Sequence, residues 1–309
     1  METERFVILA DEGSINERID SVIAGEIEGL SRSRVQTLID EGAVIVSGVP
    51  CLSKKYKVKA GDRIEILVEP VESLVIEPEN ILLDIRYEDD DVIVVNKPQG
   101  MVVHPAVGNL NGTLVNALLY HCGDHLSDLN GPVRPGIVHR IDKDTSGLIL
   151  AAKNNAAHEA LAEQFFYHTI TRTYIALVRD NIKEDDGTID LPIGRDPSNR
   201  FRRCVNGANP KNAVTHYKVL ERFGDMTLVS CELETGRTHQ IRVHMAHIKH
   251  PVVGDALYGP RKTRSTADGQ FLHAAVLGFD HPTTGEYMVF TAALPDRFLK
   301  MLESLRKSR

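Results

Sequence analysis

Two carboxylates lie among basic residues in the segment His139–Asp144, and a Thr-Ser-Gly turn at residues 145–147 follows them. An uninterrupted apolar run, residues 147–152, comes directly after the turn. Such a run predicts a buried strand, and a loop anchored to a buried strand can hold one carboxylate in a cleft. The segment therefore predicts a catalytic acid, Asp142 or Asp144, more readily than a solvated acidic stretch.

Metal binding is the alternative chemistry for these residue types. Four histidines, His239, His244, His247 and His250, recur at spacings of three and five residues, and a zinc site must be considered for them. The sequence HEXXH is absent, and long apolar side chains interleave the series, so these histidines do not predict zinc. Magnesium held by the two carboxylates is disfavoured too, because the adjacent basic residues would compete with the ion. We expect no metal.

The sequence HRIDKDTSGLILAAK, which begins at His139, closely resembles the HRLDxxTSG signature of the RluA-type RNA pseudouridine synthases. This resemblance implies that Asp142, and not Asp144, is the catalytic residue. It also implies an isomerase, which moves the bond between base and ribose from a ring nitrogen to a ring carbon. Because this rearrangement involves no net redox change and no outside group, no cofactor is expected.

Further segments carry the same resemblance, which covers residues from about 15 to about 295. Tyr174, in the strand-like segment 171–178, stands where the family keeps a tyrosine that can stack on an everted pyrimidine. The sequence GRTHQIRVH implies that Arg242 pairs with the catalytic aspartate, while Arg237 either contacts phosphate or braces the loop. In one branch of the family, the arginine at the position of Arg140 fills the gap that a flipped base leaves. Taken alone, the strand favours Tyr174 as a core residue. A structural ion pair would also explain Arg242, but the match of both segments favours the pairing with the catalytic aspartate.

Composition indicates an ordinary globular chain. Its 309 residues suffice for about two domains, and 42% are hydrophobic, with a mean hydropathy of −0.18. No apolar run approaches the roughly 18 residues of a membrane helix, and the N-terminus has no signal-peptide pattern. We therefore expect a cytoplasmic protein without a membrane partner. Its four cysteines, at positions 51, 122, 204 and 231, form no CxxC pair and predict reduced thiols.

The net charge of −7 argues against a nucleic-acid partner only if charge is averaged over the chain. Two stretches are basic and contain no acidic residue: residues 31–39, with Arg32 and Arg34, and residues 51–61, with Lys54 and Lys55 among their lysines. Segregated charge permits an RNA-facing surface on an acidic protein. On charge alone, a solvated surface explains each stretch equally well.

The periodicity of residues 15–68 predicts a small module of two helices and short strands. Apolar residues recur at helical spacing from Ile15 to Ile27, and Ser31 stands where an N-cap would begin a second helix. Strands are predicted at residues 43–48 and 63–68. The pattern resembles αL-type RNA-binding modules, with Ser47 replacing their usual asparagine, and the resemblance implies phosphate contacts from Arg32, Arg34, Lys54 and Lys55.

The predicted organisation is an RNA-binding module at residues 15–75, a linker at 76–85 within a Pro- and Glu-containing stretch, and a catalytic domain at 86–300. The expected fold class is α/β (α+β), with a mixed, largely antiparallel sheet. The favoured substrate is large-subunit ribosomal RNA, or its assembling particle, acted on by a monomer. Transfer RNA modification, a non-catalytic ribosome-assembly factor and a metal-dependent hydrolase remain as alternatives.

Overall fold

The computed structural model describes residues 4–27, 30–68, 76–105, 108–260 and 269–308. The chain forms two compact units, Met1–Ser73 and Leu74–Arg309. The first part of the Pro- and Glu-containing linker stretch, residues 69–75, lies outside the described residues. Residues 76–84, which follow it, contain neither helix nor strand.

The N-terminal unit packs two short helices against a four-stranded antiparallel sheet. Its elements are β1 (Glu4–Leu9), α1 (Ile19–Glu26), α2 (Arg32–Asp40), β2 (Val44–Val46), β3 (Val49–Pro50) and β4 (Arg63–Val68). The strand order is β1-β4-β2-β3. Ser31 caps α2 as predicted, because its Oγ accepts the N–H of Arg34 at 3.3 Å.

Strand β1 was not predicted from the sequence, and it lies before residue 15. Phe6 pairs with Ile66 and Ile8 pairs with Ile64, and both β1 side chains pack against the core of the unit. The residues that alternate with them, Arg5, Val7 and Leu9, are exposed, so the segment has the period-two alternation of a half-buried strand. The sheet of this unit therefore includes residues that precede the predicted module.

The C-terminal unit is built on a nine-stranded sheet with helices around it. Its elements are β5 (Ile85–Glu88), β6 (Val92–Lys97), α3 (Leu114–Cys122), β7 (Ser146–Ala152), α4 (Asn155–Tyr167), β8 (Thr171–Arg179), β9 (Asp186–Asp190), β10 (Ile193–Arg195), β11 (Arg203–Val205), β12 (Ala208–Lys211), β13 (Val214–Arg222), β14 (Met226–Leu233), α5 (Gln240–His247), β15 (Leu272–Asp280), β16 (Tyr287–Thr291) and α6 (Asp296–Lys307).

The large sheet has the order β5-β6-β7-β15-β8-β14-β13-β9, and β16 pairs with β15. Among the described strands, β7 and β15 are parallel and the other neighbours are antiparallel. A second sheet has three strands in the order β11-β10-β12. The predicted fold class is thereby confirmed. The longest helix in the described ranges, α4, has 13 residues, and none there has the length and apolar character needed to cross a membrane.

Strand β7 is the buried strand predicted after the Thr-Ser-Gly turn, and all seven of its residues are buried. It pairs with β6 at residues 147–152 but with β15 only at Ser146 and Gly147. Gly147 has φ +112°, and a Cβ at this position would lie 2.2 Å from the carbonyl oxygen of Ala274. Only glycine fits where these two backbones approach, so the turn fixes where the preceding loop leaves the sheet.

Candidate active site

His139 attaches the loop 139–145 to the strand that follows it. Its Nε2 accepts the N–H of Leu150 at 2.9 Å, and its ring stacks on Phe165 with the ring centroids 4.8 Å apart. Burial, together with the positive charge of Arg172, lowers the pKa of His139 to about 3, so the imidazole stays neutral and can accept this hydrogen bond. The loop is therefore held at its beginning by His139 and at its end by β7.

Asp142 lies in this loop with its two carboxylate oxygens in different surroundings. Oδ2 accepts a hydrogen bond from Nη1 of Arg242 at 2.8 Å. Within the described residues Oδ1 accepts no hydrogen bond, and Nε2 of His239 lies 3.8 Å from it. The side chain is 17% exposed and lines a small cavity. One oxygen is thus fixed and the other is available to a molecule in the cavity.

Arg242, on α5, is held from behind by Asp255, a residue that the sequence did not single out. Its Nε and Nη2 donate to the two carboxylate oxygens of Asp255 at 2.6 and 3.0 Å. The Asp255 carboxylate also accepts the backbone N–H groups of Leu257 and Tyr258, each at 2.9 Å. Burial alone would lower the pKa of Arg242, but the hydrogen bonds that it donates to Asp255 and the charge of Asp142 raise it. A permanently charged guanidinium therefore presents Nη1 to Asp142 in a fixed orientation.

The only sequence signal for Asp255 is local. An aspartate that accepts the N–H groups two and three residues later forms a common turn, and such turns occur throughout proteins. That pattern predicts a bend in the chain and carries no information about an arginine 13 residues earlier.

Tyr174 lies on β8 and lines the same cavity as Asp142 and Arg242. It is 8% exposed, and β8 is hydrogen-bonded between β14 and β15, so the ring has a rigid support. Burial raises the pKa of Tyr174 to about 12, and the Asp142 carboxylate acts in the same direction. The phenol therefore stays protonated at neutral pH and can offer a flat, uncharged face. The structure brings together the three residues that were predicted to be catalytic.

His239 faces the open oxygen of Asp142 and was considered above only for metal binding. It is the N-cap residue of α5, with φ +60°, and its Nδ1 lies 2.8 Å from the hydroxyl of Tyr258. That hydroxyl already accepts the N–H of Arg203 at 2.9 Å, so we assign its hydrogen to His239 Nδ1. The remaining proton then lies on Nε2, next to Asp142. Burial lowers the pKa of His239, although the charge of Asp142 acts to raise it. The lowered pKa favours this neutral form.

The histidine series does not converge on one point. His244 contacts the hydroxyl of Thr215 and the carbonyl of Leu191, each at 2.9 Å, and His250 contacts the carbonyl of Arg179 at 2.9 Å. These are ordinary contacts of a buried imidazole, His244, and a partly buried one, His250. The zinc alternative for this series therefore has no support in its geometry.

A different group has ligand atoms that lie within 4.8 Å of one another. In the part of the chain that the structure describes, this group is Glu88, His121 and Cys122. The Lys153 ammonium donates to Glu88 Oε1 at 2.8 Å, so a cation already occupies the carboxylate side of the group. The geometry therefore gives no reason to place a metal ion there.

Lys97 lies beneath the loop and was not predicted. It is fully buried, and its Nζ donates to the carbonyls of Pro98, Met101 and Lys143 at 2.8, 2.8 and 3.1 Å. Burial lowers the pKa of the Lys97 ammonium to about 7, against the opposing charges of Asp144 and Asp142. This side chain ties the end of β6 to the loop.

The six predicted RNA contacts have different surroundings. Arg140 and Arg237 line the cavity that contains Asp142, and Nε of Arg237 donates to the carbonyl of Asn212 at 2.9 Å. The structure therefore brings these two residues to the candidate site.

The other four predicted contacts belong to the N-terminal unit. Arg32 donates to the buried Asp20 at 3.1 Å, Arg34 lies 3.7 Å from Glu41, and Lys54 is paired with Asp40. Each of these cations already has an acidic partner. Lys55 is exposed.

Comparison with known proteins agrees with this geometry. The RNA pseudouridylate synthase family matches residues 91–247, and the S4 domain family matches residues 17–64. The chain is 55% identical to the uncharacterized RNA pseudouridine synthase YlyB of Bacillus subtilis, over 97% of this chain and 98% of that protein. It is 45% identical to the ribosomal large subunit pseudouridine synthase D of Zymomonas mobilis, over 96% and 95%. The structure of human RNA pseudouridylate synthase domain containing 1 superposes with a TM-score of 0.57 and 29% identity, covering 77% of this chain and 98% of that one.

Proposed function

The chain belongs to the RNA pseudouridylate synthase family and is an isomerase acting on RNA, and from this premise we propose that Asp142 converts specific uridines of large-subunit ribosomal RNA. One observation carries the assignment of the residue. Asp142 has one oxygen fixed by Arg242, and its other oxygen accepts no hydrogen bond within the described residues, in a cavity that Tyr174 also lines.

The reaction breaks the bond from ribose C1′ to base N1 and forms a bond from C1′ to C5. The C5 proton is lost and N1 gains one, so the atoms balance without any redox partner. Oδ1 of Asp142 serves either as a nucleophile towards C1′ or as a base for a ribose proton. Arg242 holds Oδ2 in both routes and stabilises the carboxylate before and after the step.

Tyr174 and His239 confine the detached uracil in this proposal. The neutral ring of Tyr174 packs on the face of the base, a contact worth about 1–3 kcal/mol. His239 presents an N–H beside Asp142. That group can donate a hydrogen bond to an oxygen of the ribose or of the base. Such a bond limits the detached uracil to the rotation that brings C5 next to C1′.

Access to the base requires flipping, and Arg140 is proposed to occupy the space that the base leaves. Flipping costs a few kcal/mol, and a planar guanidinium can stack in the gap. The position of Arg140 at the cavity that holds Asp142 supports this role. Arg140→Ala should weaken RNA binding and slow conversion, and normal binding with intact conversion would contradict the stacking role.

The substrate proposal rests on the names of the relatives and on the S4 domain match. Residues 15–75 are proposed as an RNA-binding module, 76–85 as a linker and 86–300 as the catalytic domain. For Arg32, Arg34 and Lys54, phosphate contact would have to compete with their acidic partners, so Lys55 is the most available of the four. A monomer working in the cytoplasm completes the proposal.

The test is conversion of unmodified large-subunit ribosomal RNA, mapped by chemical labelling and reverse-transcription stops, with Asp142→Asn beside the unaltered chain. Stops produced only by the unaltered chain support the reaction, the substrate and the residue together. Conversion of transfer RNA alone would show that the assignment of large-subunit ribosomal RNA as the substrate is wrong. No conversion of ribosomal RNA, transfer RNA or immature particles, with Asp142→Asn still complementing a null strain, favours the assembly-factor alternative.

A further inference from the structure

A second cleft lies on the small three-stranded sheet of the C-terminal unit. It has a volume of about 510 Å³ and is called the sheet cleft below. Its polar lining comes from β10, β11, β12 and the turn before α5, and consists of Arg195, Arg203, Asn209, Lys211, Arg237 and Thr238. Four of these six side chains are cationic.

The charge of the sheet cleft is unbalanced. Among the described residues, no carboxylate lines it, and none of its four cations forms an ion pair. The neighbouring Arg202, by contrast, lies 3.9 Å from Asp196. The positive charge also reaches the candidate active site, because Arg203 adds to the burial that lowers the pKa of His239. Cations gathered without a counter-charge favour an anionic ligand.

The backbone makes this surface rigid. Strand β10 is hydrogen-bonded to β11 on one side and to β12 on the other. Gly194 and Gly207 meet so closely that a Cβ on Gly194 would lie 2.5 Å from the backbone of Gly207. The cations therefore extend from paired strands that cannot easily move apart, and a ligand finds them largely pre-positioned.

The sheet cleft adjoins the cavity that contains Asp142, because Arg237 lines both. An anion in the cleft is therefore a neighbour of whatever molecule occupies the cavity. For a nucleic-acid strand with one nucleotide in the cavity, that neighbour is the backbone phosphate of an adjacent nucleotide.

We propose that the sheet cleft binds backbone phosphates of the RNA strand that flanks the reacting uridine, through Arg195, Arg203 and Lys211 together with Arg237. This inference rests on the proposed function, which supplies the nucleotide in the cavity. It gives the C-terminal unit an electrostatic grip on RNA that does not depend on the S4 domain. It also accounts for RNA binding by a chain whose net charge is −7.

The test compares the double variant Arg195→Gln/Lys211→Gln with the control Lys218→Gln/Lys300→Gln. Arg195 and Lys211 are exposed, as are the two control lysines, and each double variant removes two charges from the same unit. Neither control residue lines the cleft. Thermal unfolding of both variants checks that they fold.

RNA affinity is measured over a range of salt concentrations with a ribosomal RNA fragment that carries the target uridine. The cleft variant should raise Kd about tenfold at low salt. It should also reduce the slope of log affinity against log salt by about one for each cation removed. The control should retain the slope of the unaltered chain. A cleft variant with an unchanged slope overturns the proposal.

The same fragment with a neutral methylphosphonate at single flanking positions locates the contact. At the position bound by the cleft, the methylphosphonate should weaken binding by the unaltered chain. It should weaken binding by the cleft variant very little, because that variant has already lost the contact. If the affinity lost through the methylphosphonate and the affinity lost through the cleft substitutions are additive at every position, the proposal is wrong. It is also wrong if the cleft variant loses affinity for polyglutamate and not for RNA.

Failure of this inference is distinguishable from failure of the proposed function. If the unaltered chain converts uridine but the cleft variant keeps the normal salt dependence of RNA affinity, only the proposal for the sheet cleft is wrong. If the cleft variant binds RNA more weakly but the unaltered chain converts no uridine, the proposed reaction is wrong and the cleft proposal stands.

Discussion

Asp255→Asn is expected to separate the stability of the site from its chemistry. Oδ1 of Asp255 accepts Nη2 of Arg242 and the backbone N–H groups of Leu257 and Tyr258, while Oδ2 accepts Nε of Arg242. An asparagine that keeps its oxygen at the Oδ1 position retains three of these hydrogen bonds. Its amide N–H group then faces Nε–H, so that one donor points at another.

The free-energy cost follows from the burial of the pair. Removing one partner of a buried ion pair costs roughly 3–5 kcal/mol. Asp142 remains as a counter-charge on Arg242, and three hydrogen bonds persist, so we expect the free energy of unfolding to fall by about 3 kcal/mol. Asp142→Asn removes the charge from a partly exposed group with one direct hydrogen bond to Arg242, and about 1 kcal/mol is expected.

Activity should follow the opposite order. Asp142→Asn should abolish conversion, because the amide is neither a nucleophile nor a base. Asp255→Asn should lower kcat about a hundredfold, as is typical when a group that orients the reacting residue is displaced. KM should change little, because Asp255 is buried behind Arg242 and has no surface to offer to RNA.

The measurements are urea denaturation for stability and tritium release from RNA labelled at uridine C5 for turnover. Circular dichroism of each variant confirms that it is folded under the assay conditions. If Asp255→Asn unfolds no more easily than Asp142→Asn, or if it turns over at the normal rate, then Asp255 does not orient Arg242.

Three further outcomes are expected. The folded pKa of Lys97, about 7, lies below the usual 10.5, so the unfolded chain binds the extra proton between these values. The unfolding free energy of the unaltered chain should therefore rise by about 1.4 kcal/mol per pH unit in this window because of Lys97, and Lys97→Met should lack this rise. The measurement compares denaturation of the unaltered chain and of the variant at a series of pH values. His239→Gln should lower kcat roughly a hundredfold with little change in KM, because Nε2 faces Asp142; a raised KM alone in tritium release would contradict this. Gly147→Ala should destabilise the protein by about 3 kcal/mol or more, since its Cβ would meet the backbone of Ala274, and an unchanged denaturation midpoint would show that β7 and β15 can move apart.

Periodic apolar patterns and helix caps carried the fold prediction. Ser31 and the buried run of β7 are signals that depend on a few adjacent residues, and the structure agrees with both. Strand β1 was missed because four of its six residues are exposed and its partner, β4, lies more than fifty residues later. Local sequence patterns therefore predict individual helices and strands well, but they do not predict which strands pair with one another.

The candidate site shows the same division. Asp142, Tyr174 and Arg242 were found through family motifs, and their roles stay predictions although the structure brings them to one cavity. Asp255 and Lys97 were missed because each acts through a contact made by folding, one behind an arginine and one beneath a loop. A turn aspartate and a lysine at the end of a strand carry no such information when read along the chain.

The basic stretch of the N-terminal unit illustrates the limit of counting charges. Arg32 stands in a segment without acid until Asp40, yet its guanidinium bonds the buried Asp20 from α1. Arg18 and Gln36 donate to the same carboxylate. A cation that is free in the linear sequence is thus partly committed in the fold, and only the packing of α1 against α2 reveals this.

The position of β15 has a consequence for the newly made chain. This strand comes from residues 272–280 but is inserted between β7 and β8, at the middle of the large sheet. The strands that carry the Asp142 loop and Tyr174 therefore remain unjoined on the ribosome until β15 has emerged. Contacts this distant in sequence form slowly, because long loops must close first. We expect nascent chains that lack β15 to be inactive and to depend on protection of two open strand edges until this strand is made.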